Sequence, residues 1–319
     1  MRTVTSQRRS RRIVRAFTGV VLTVALVSAC GATATERSVT SPQTRPKVSA
    51  FAGLGTWVDV YDYGPKFQSS PTLAPALTVD AVDDMARLGV KTIYLQAAQD
   101  DTRSDGLLAD RELVSALLRR AHRRNVKIVA WYLPHFADVN RDLGYVRALA
   151  RYRSHGQRFD GIALDIEWTN DVPDPVARNR ALIELAHRAR GLVTGVPLGA
   201  IVLEPVLIED VNRNHWPNFP WRELRNDFDV WLPMSYWTNR STVSGWKDGF
   251  RYSQENIKRV RANLHDPRAD VHVVGGIADR AEPREYARFV AAAQQSRAVG
   301  WSIYDYVTTS SSAWPRLRG

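Results

Sequence analysis

Eight short runs of β-branched and apolar residues, each followed by a segment with helical spacing, recur in one unbroken stretch from residue 51 to residue 319. The runs are 56–61, 92–96, 127–133, 161–166, 198–203, 230–235, 271–275 and 299–303. Between them the apolar residues fall three to four apart, as in Leu113, Leu117, Leu118 and Ala121, in Leu182, Leu185, Ala186 and Ala189, and in Tyr286, Phe289, Val290 and Ala293. Asp174-Pro175 places a capping acid before a proline at a first helical position. Strands that alternate with helices pair in parallel, and eight of them in 269 residues match the roughly 250 of a closed barrel. The expected fold is therefore α/β, a single (β/α)8 TIM barrel over 51–319, with short or irregular fifth and eighth helices. No P-loop is present and no G-x-G-x-x-G follows the first run, which argues against a doubly wound nucleotide-binding sheet. Gly275-Gly276 after the seventh run reads as a turn needing positive φ.

The first 50 residues are of another kind. Arg8, Arg9, Arg11, Arg12 and Arg15 precede an apolar run over 16–29 that ends at Cys30. The run is too short to span a bilayer and has the plan of an export signal. Val27-Ser28-Ala29-Cys30 resembles a bacterial lipobox, which implies a signal peptide over 1–29 and a lipid on the Cys30 sulfur. Ser10-Arg11-Arg12-Ile13-Val14-Arg15 also resembles a twin-arginine motif, and the export route stays open. Residues 30–50 are rich in Ser, Thr, Pro and Ala and read as the lipidated cysteine and a flexible tether. The expected location is the outer face of the cell membrane. Cys30 is the chain's one cysteine, so the barrel has no disulfide, thiolate metal site or cysteine nucleophile. The formal charge of +11 is concentrated in the leader: the six arginines of 1–29 take it to +5, and Glu36, Arg37, Arg45 and Lys47 take it to +3 on 51–319. That is no basis for nucleic-acid binding.

In a barrel the carboxyl end of each strand faces the active-site mouth. The polar residues there are Asp59 and Asp62 after the first run, Tyr132 and His135 after the third, and Asp165, Glu167 and Trp168 after the fourth. Glu204 follows the fifth, Tyr236 and Trp237 the sixth, and Tyr304 and Asp305 the last. The fourth run is the most informative, because strand side chains alternate. With Ile162, Leu164 and Ile166 packed under helices, Gly161 and Ala163 point into the barrel and Asp165 and Glu167 emerge on that same inner side. Their Cα atoms lie about 6.5–7 Å apart by strand rise. Two carboxyls so close cannot both ionise freely, which yields a proton donor beside an ionised partner, the pairing glycosidic cleavage needs. Acids here can also serve only to hold loops. Trp57, Trp131, Trp168, Trp237 and Trp301 lie in or just beyond five strands, where indole faces stack on sugar rings. Trp216 and Trp221, beside Pro217 and Pro220, read instead as staples of the loop after the fifth strand. The histidines show no metal-ligand spacing, and His135 reads as structural. No metal or cofactor is expected.

Asp160-Gly161-Ile162-Ala163-Leu164-Asp165-Ile166-Glu167 resembles the D-G-x-D-x-D-x-E signature of family 18 glycoside hydrolases, the chitinases and endo-N-acetylglucosaminidases. Met234-Ser235-Tyr236 resembles that family's sixth-strand M-x-Y, and Trp301-Ser302-Ile303-Tyr304-Asp305 its last-strand W-S-x-x-D. The resemblance implies that Glu167 is the general acid, that Asp165 orients a substrate acetamido group, that Tyr236 bonds that group's carbonyl, and that Trp301 floors the sugar. Two positions depart from the pattern: Ala163 replaces the middle aspartate, and Trp237 stands where an aspartate usually follows the tyrosine. An inverting scheme with Asp59, Glu204 or Asp305 as base stays open, as does a likeness to lysozyme-like barrels through Leu164-Asp165-Ile166-Glu167. The expected function is a cell-surface glycosidase acting beside an N-acetylamino sugar on a polysaccharide or peptidoglycan-type glycan. The alternatives are a sugar-binding barrel without turnover and an envelope scaffold.

Overall fold

A computed structural model describes residues 46–319. The export signal over 1–29, Cys30 and the tether as far as residue 45 lie outside the described residues. All eight expected strands are present: β1 (Gly53–Val58), β2 (Thr92–Gln96), β3 (Lys127–Tyr132), β4 (Gly161–Ile166), β5 (Leu198–Val202), β6 (Val230–Pro233), β7 (His272–Ile277) and β8 (Gly300–Tyr304). The first starts and ends three residues early, because the Asp59 carboxylate accepts from the Tyr61 and Asp62 N–H groups and caps a helix there. The helices are α1 (Val60–Tyr63), α2 (Ala81–Arg87), α3 (Arg111–Arg123), α4 (Val139–Arg151), α5 (Pro175–Leu192), α6 (Trp221–Leu224), α7 (Gly249–Asn263), α8 (Pro283–Gln295) and α9 (Trp314–Leu317). Asp174 caps α5 ahead of Pro175, and α6 and α9 are short, as the sequence implies.

The strands pair in parallel in the order β6-β5-β4-β3-β2-β1-β8-β7. Parallel bridges from Trp231 to Val271 and from Met234 to Val274 join the two edges and close the ring. The molecule is a single (β/α)8 TIM barrel, with helices whose buried stripes, such as Leu182, Leu185, Ala186 and Ala189 on α5, cover the outside.

The barrel is plugged from below by a residue next to the expected tether. Pro46–Phe51 forms a 3₁₀ helix with Val48, Ala50 and Phe51 buried, so the tether over 30–50 is corrected at its end: residues 46–50 are folded. Phe51 fills space that two glycines leave, since a Cβ at Gly161 or Gly199 would stand 3.1 or 2.8 Å from its ring. The segment is fastened through the Phe51 carbonyl to His272 Nδ1 at 2.8 Å, the Ala50 carbonyl to Thr92 Oγ1 at 2.9 Å, and the Ser49 carbonyl to Lys127 Nζ at 2.8 Å. Gly275-Gly276 is a second correction. Neither residue has positive φ; a Cβ there would come within 2.9 Å of Phe289 or 2.7 Å of Thr238, so close approach is what requires glycine.

Candidate active site

Alternation along β4 delivers Asp165 and Glu167 to the same inner side, above Gly161 and Ala163. They share an open pocket of about 440 Å³ at the carboxyl end of the strands, lined also by Trp57, Asp59, Gln96, Trp131, His135, Trp168, Tyr236 and Tyr304. No residue of the 205–227 loop lines it, so that loop leaves the mouth open. Asp165 is 8% exposed, and its Oδ1 has no hydrogen-bond partner. Burial, and then the Glu167 charge, pushes the Asp165 carboxyl well above the usual range; burial raises Glu167 as well. One proton therefore stays on this pair under conditions where isolated carboxyls have lost theirs.

The pocket floor is aromatic, built from rings that neighbouring strands bring into contact. Trp57 stacks on Tyr94 with centroids 4.5 Å apart at 16°, and meets Trp131 edge-on at 6.0 Å. Both indole N–H groups are satisfied below the floor, Trp57 by Ser302 Oγ at 2.8 Å and Trp131 by the Tyr94 carbonyl at 3.2 Å. Their ring surfaces are thus the parts left to face a ligand. Trp168 forms one wall, stacked on His135 at 4.9 Å and 14°, and its Nε1 is buried without a partner. His135 Nδ1 lies 3.1 Å from Asp171. Tyr236 and Tyr304 form another wall, with centroids 6.3 Å apart. Burial, and then the Glu167, Asp165, Glu204 and Asp305 charges, hold the Tyr236 phenol far above its ordinary value, so it meets a ligand as a hydroxyl donor.

Asp59 also faces the pocket, accepting from the Tyr304 hydroxyl at 2.8 Å. Beside it one carboxylate oxygen from each of Asp59, Asp62 and Asp305 lies within 4.8 Å of the other two. Three carboxylates in that space could hold a cation, but they can also relieve their repulsion with a proton. Burial, then Asp59 and Asp305, pushes Asp62 up to about 7.

Four expected site residues are placed elsewhere. Trp301 lies on the outer side of β8, because Ser302 and Tyr304 take the inner positions; its Nε1 donates to the Leu317 carbonyl at 2.7 Å. It is no floor for a sugar. Trp237 is fully buried against Phe289, at 5.2 Å, and over Gly249 and Gly275, so its departure from the family pattern concerns packing behind β7. Glu204 is buried and does not line the pocket, accepting from Tyr252 Oη at 3.0 Å with Arg240 at 3.9 Å, and burial pushes it up to about 7. Asp305 accepts from the Thr308 N–H and Oγ1 at 2.8 and 2.9 Å and does not line the pocket. Glu204 and Asp305 are thus not placed to activate water for an inverting reaction. Conversely, Tyr304 and His135, which the sequence places at strand ends without giving either a role in the site, line the pocket, as does Gln96, which no sequence pattern singles out. For Tyr304 the signal was available: Ser302 is the small residue of its pair, and extending its parity by two puts Tyr304 inside.

The fold and this mouth define a (β/α)8 barrel with a carboxylate pair among aromatic rings at the strand ends. No family model and no curated protein sequence matches the chain. Among solved structures it is similar to a class V chitinase from Pseudomonas fluorescens Pf-5, with TM-score 0.57 and 11% identity over 84% of this chain and 98% of that one. It is also similar to the spore cortex-lytic enzyme SleL of Bacillus megaterium QM B1551, with TM-score 0.58 and 7% identity over 83% of this chain and 73% of that one. The endo-1,4-β-D-mannanase of Thermotoga petrophila RKU-1 matches with TM-score 0.53 and 10% identity over 80% of this chain and 88% of that one. At such identities the likeness establishes the barrel, and function has to be argued from the site.

Proposed function

We propose that this protein is a glycoside hydrolase, acting beside an amino sugar, with Glu167 as general acid. The observation that carries the reading is the convergence of Asp165, Glu167 and Tyr236 on one open pocket floored by Trp57 and Trp131 and walled by Trp168. Glu167, whose carboxyl burial pushes above its ordinary range, gives its proton to the leaving glycosidic oxygen. Asp165 and the Tyr236 hydroxyl bind the polar substituent of the sugar on the other side of the scissile bond, and the tryptophan faces take its apolar face. The solved barrels named above, a chitinase and a spore cortex-lytic enzyme among them, support a glycan as substrate.

The test is hydrolysis of chitin and peptidoglycan fragments by the purified chain and by Glu167→Gln. The variant keeps binding and loses on the order of 10²–10⁴ in rate; unchanged cleavage would end the assignment. Since the acid form of Glu167 is the active one and its pKa is raised, kcat falls as pH rises through that raised value. The lipobox-like Val27-Ser28-Ala29-Cys30 supports display on the outer face of the cell membrane through a lipidated Cys30. Release of Cys30→Ala into the medium tests that part.

A further inference from the structure

The charge around the pocket is one-sided. Among the described residues no Lys or Arg lines it, while Asp59, Asp165 and Glu167 do. The groups behind the lining repeat the sign: Asp62 and Asp305 stand beside Asp59, Asp171 holds the lining His135, and Glu204, near enough to act on Tyr236, is paired with Arg240. Arg103, the cation beside the lining Tyr61, is held by Asp101 through a bidentate pair of 2.9 and 2.6 Å. The strand-to-helix loops that form the mouth carry eighteen Asp and Glu against six Lys and Arg, a net of twelve negative charges. Seven of these acids, Asp59, Asp80, Asp110, Asp138, Asp174, Asp248 and Glu282, are helix N-caps that the architecture itself calls for. The remaining eleven still outnumber the cations.

Within this field sits an acceptor with nothing to accept. Asp165 Oδ1 is buried on the lining of the pocket and no group donates to it, while Trp168 Nε1 is a donor without an acceptor. A ligand that completes the pocket brings a donor to Asp165 and an oxygen to Trp168. A neutral amide N–H would serve Asp165 as a hydrogen bond only. An ammonium would serve it, and its positive charge would favour the ionised form of Asp165 that burial and the Glu167 charge now oppose.

From the orphaned Asp165 oxygen and the absence of a lining cation, we infer that the site selects a saccharide bearing a free amino group on the sugar at Asp165, a glucosamine-type unit, and rejects uronic or phosphorylated glycans. This rests on the glycosidase reading for turnover but not for binding. The ammonium donates to Asp165 Oδ1, hydroxyl or ring oxygens accept from Trp168 Nε1, and the acidic mouth draws cationic chains in from a distance.

The experiment compares three probes, a glucosamine oligomer, the matching N-acetylglucosamine oligomer and an oligogalacturonate. Calorimetry on the full chain carrying Glu167→Gln measures binding, and reducing-end release by the unsubstituted chain measures turnover. The expected result is at least about tenfold tighter binding of the glucosamine oligomer at low salt, shrinking between about 0.01 and about 0.3 M salt, with no oligogalacturonate binding. Asp165→Asn removes the preference, lowering affinity for the glucosamine oligomer by more than affinity for the N-acetylated one. If that variant does not fold, Asp59→Asn, which keeps an N-cap side chain, halves the preference or more. Equal or tighter binding of the N-acetylated oligomer, binding of the oligogalacturonate, or a preference that survives both substitutions overturns the inference. Amine-selective binding without cleavage leaves it standing and removes the glycosidase reading. Cleavage of N-acetylated chains without an amine preference does the reverse, and failure to bind any probe overturns both.

Discussion

Asp62→Asn should stabilise the protein at neutral and alkaline pH and leave it unchanged in acid. Asp62 is 8% exposed and packed against Asp59 and Asp305, so its ionised form is disfavoured first by burial and then by those two charges, and its pKa rises from 3.8 to about 7. A carboxyl whose folded-state pKa is raised contributes stability that is complete below 3.8 and lost as pH climbs through about 7. The span between those values corresponds to about 4 kcal/mol, which residual solvent screening reduces to roughly 2–3 kcal/mol. Asparagine removes the penalty and keeps the structure, because its Oδ1 can accept the Asp59 N–H that Asp62 Oδ2 now accepts at 3.0 Å. For a domain of this size, that energy is on the order of 5–10 °C in Tm. Thermal unfolding of both proteins across about pH 4 to about pH 8 checks it: the curves coincide at the acid end and separate with rising pH. A Tm gain independent of pH would refute the argument. A loss at pH 8 would refute it too, since it would mean that Asp62 is ionised there and neutralised by something other than a proton.

Phe51→Ala should destabilise the barrel by about 3–5 kcal/mol in urea unfolding, because Gly161 and Gly199 leave no side chain to close over the vacated space; a loss below about 1 kcal/mol would mean that 46–51 is not part of the fold. Trp131→Ala should weaken oligosaccharide binding by tenfold or more. Trp301→Phe, altered on the outer face of β8, should leave affinity unchanged within a factor of about two while losing its bond to the Leu317 carbonyl. Titration of both variants with one oligomer distinguishes the inner ring from the outer one.

The barrel was legible because its determinants are periodic. Eight β-branched runs separated by helical stripes specify which residues pair and which pack, and β4 is readable to the residue, since Gly161 and Ala163 assign Asp165 and Glu167 to the inside by parity alone. The same parity holds on β8, where the inward Ser302 sends Tyr304 inward and Trp301 outward. Trp237 illustrates a different limit. It follows the lining Tyr236, yet its ring turns into the cavity over Gly249, Gly275 and Gly276, and the chain gives no local sign of that space because it is made by residues from other elements. Glu204 likewise sits at a strand end, where acids often face substrate, but it is buried and taken up by the Tyr252 hydroxyl of α7, a partner from a distant part of the chain.

What the sequence determines by itself is therefore the architecture and the pair of acids that β4 delivers to its inner side, because local periodicity and alternation act over a few residues. What the tertiary structure decides is membership of the pocket. The facing of Trp57 and Trp131 over Tyr94, the stack of Trp168 on His135, the plug at Phe51 and the burial that raises Asp165 and Glu167 all depend on side chains brought together from strands far apart in the chain. Burial and charge proximity are properties of that assembled space, and no stretch of the chain contains them alone.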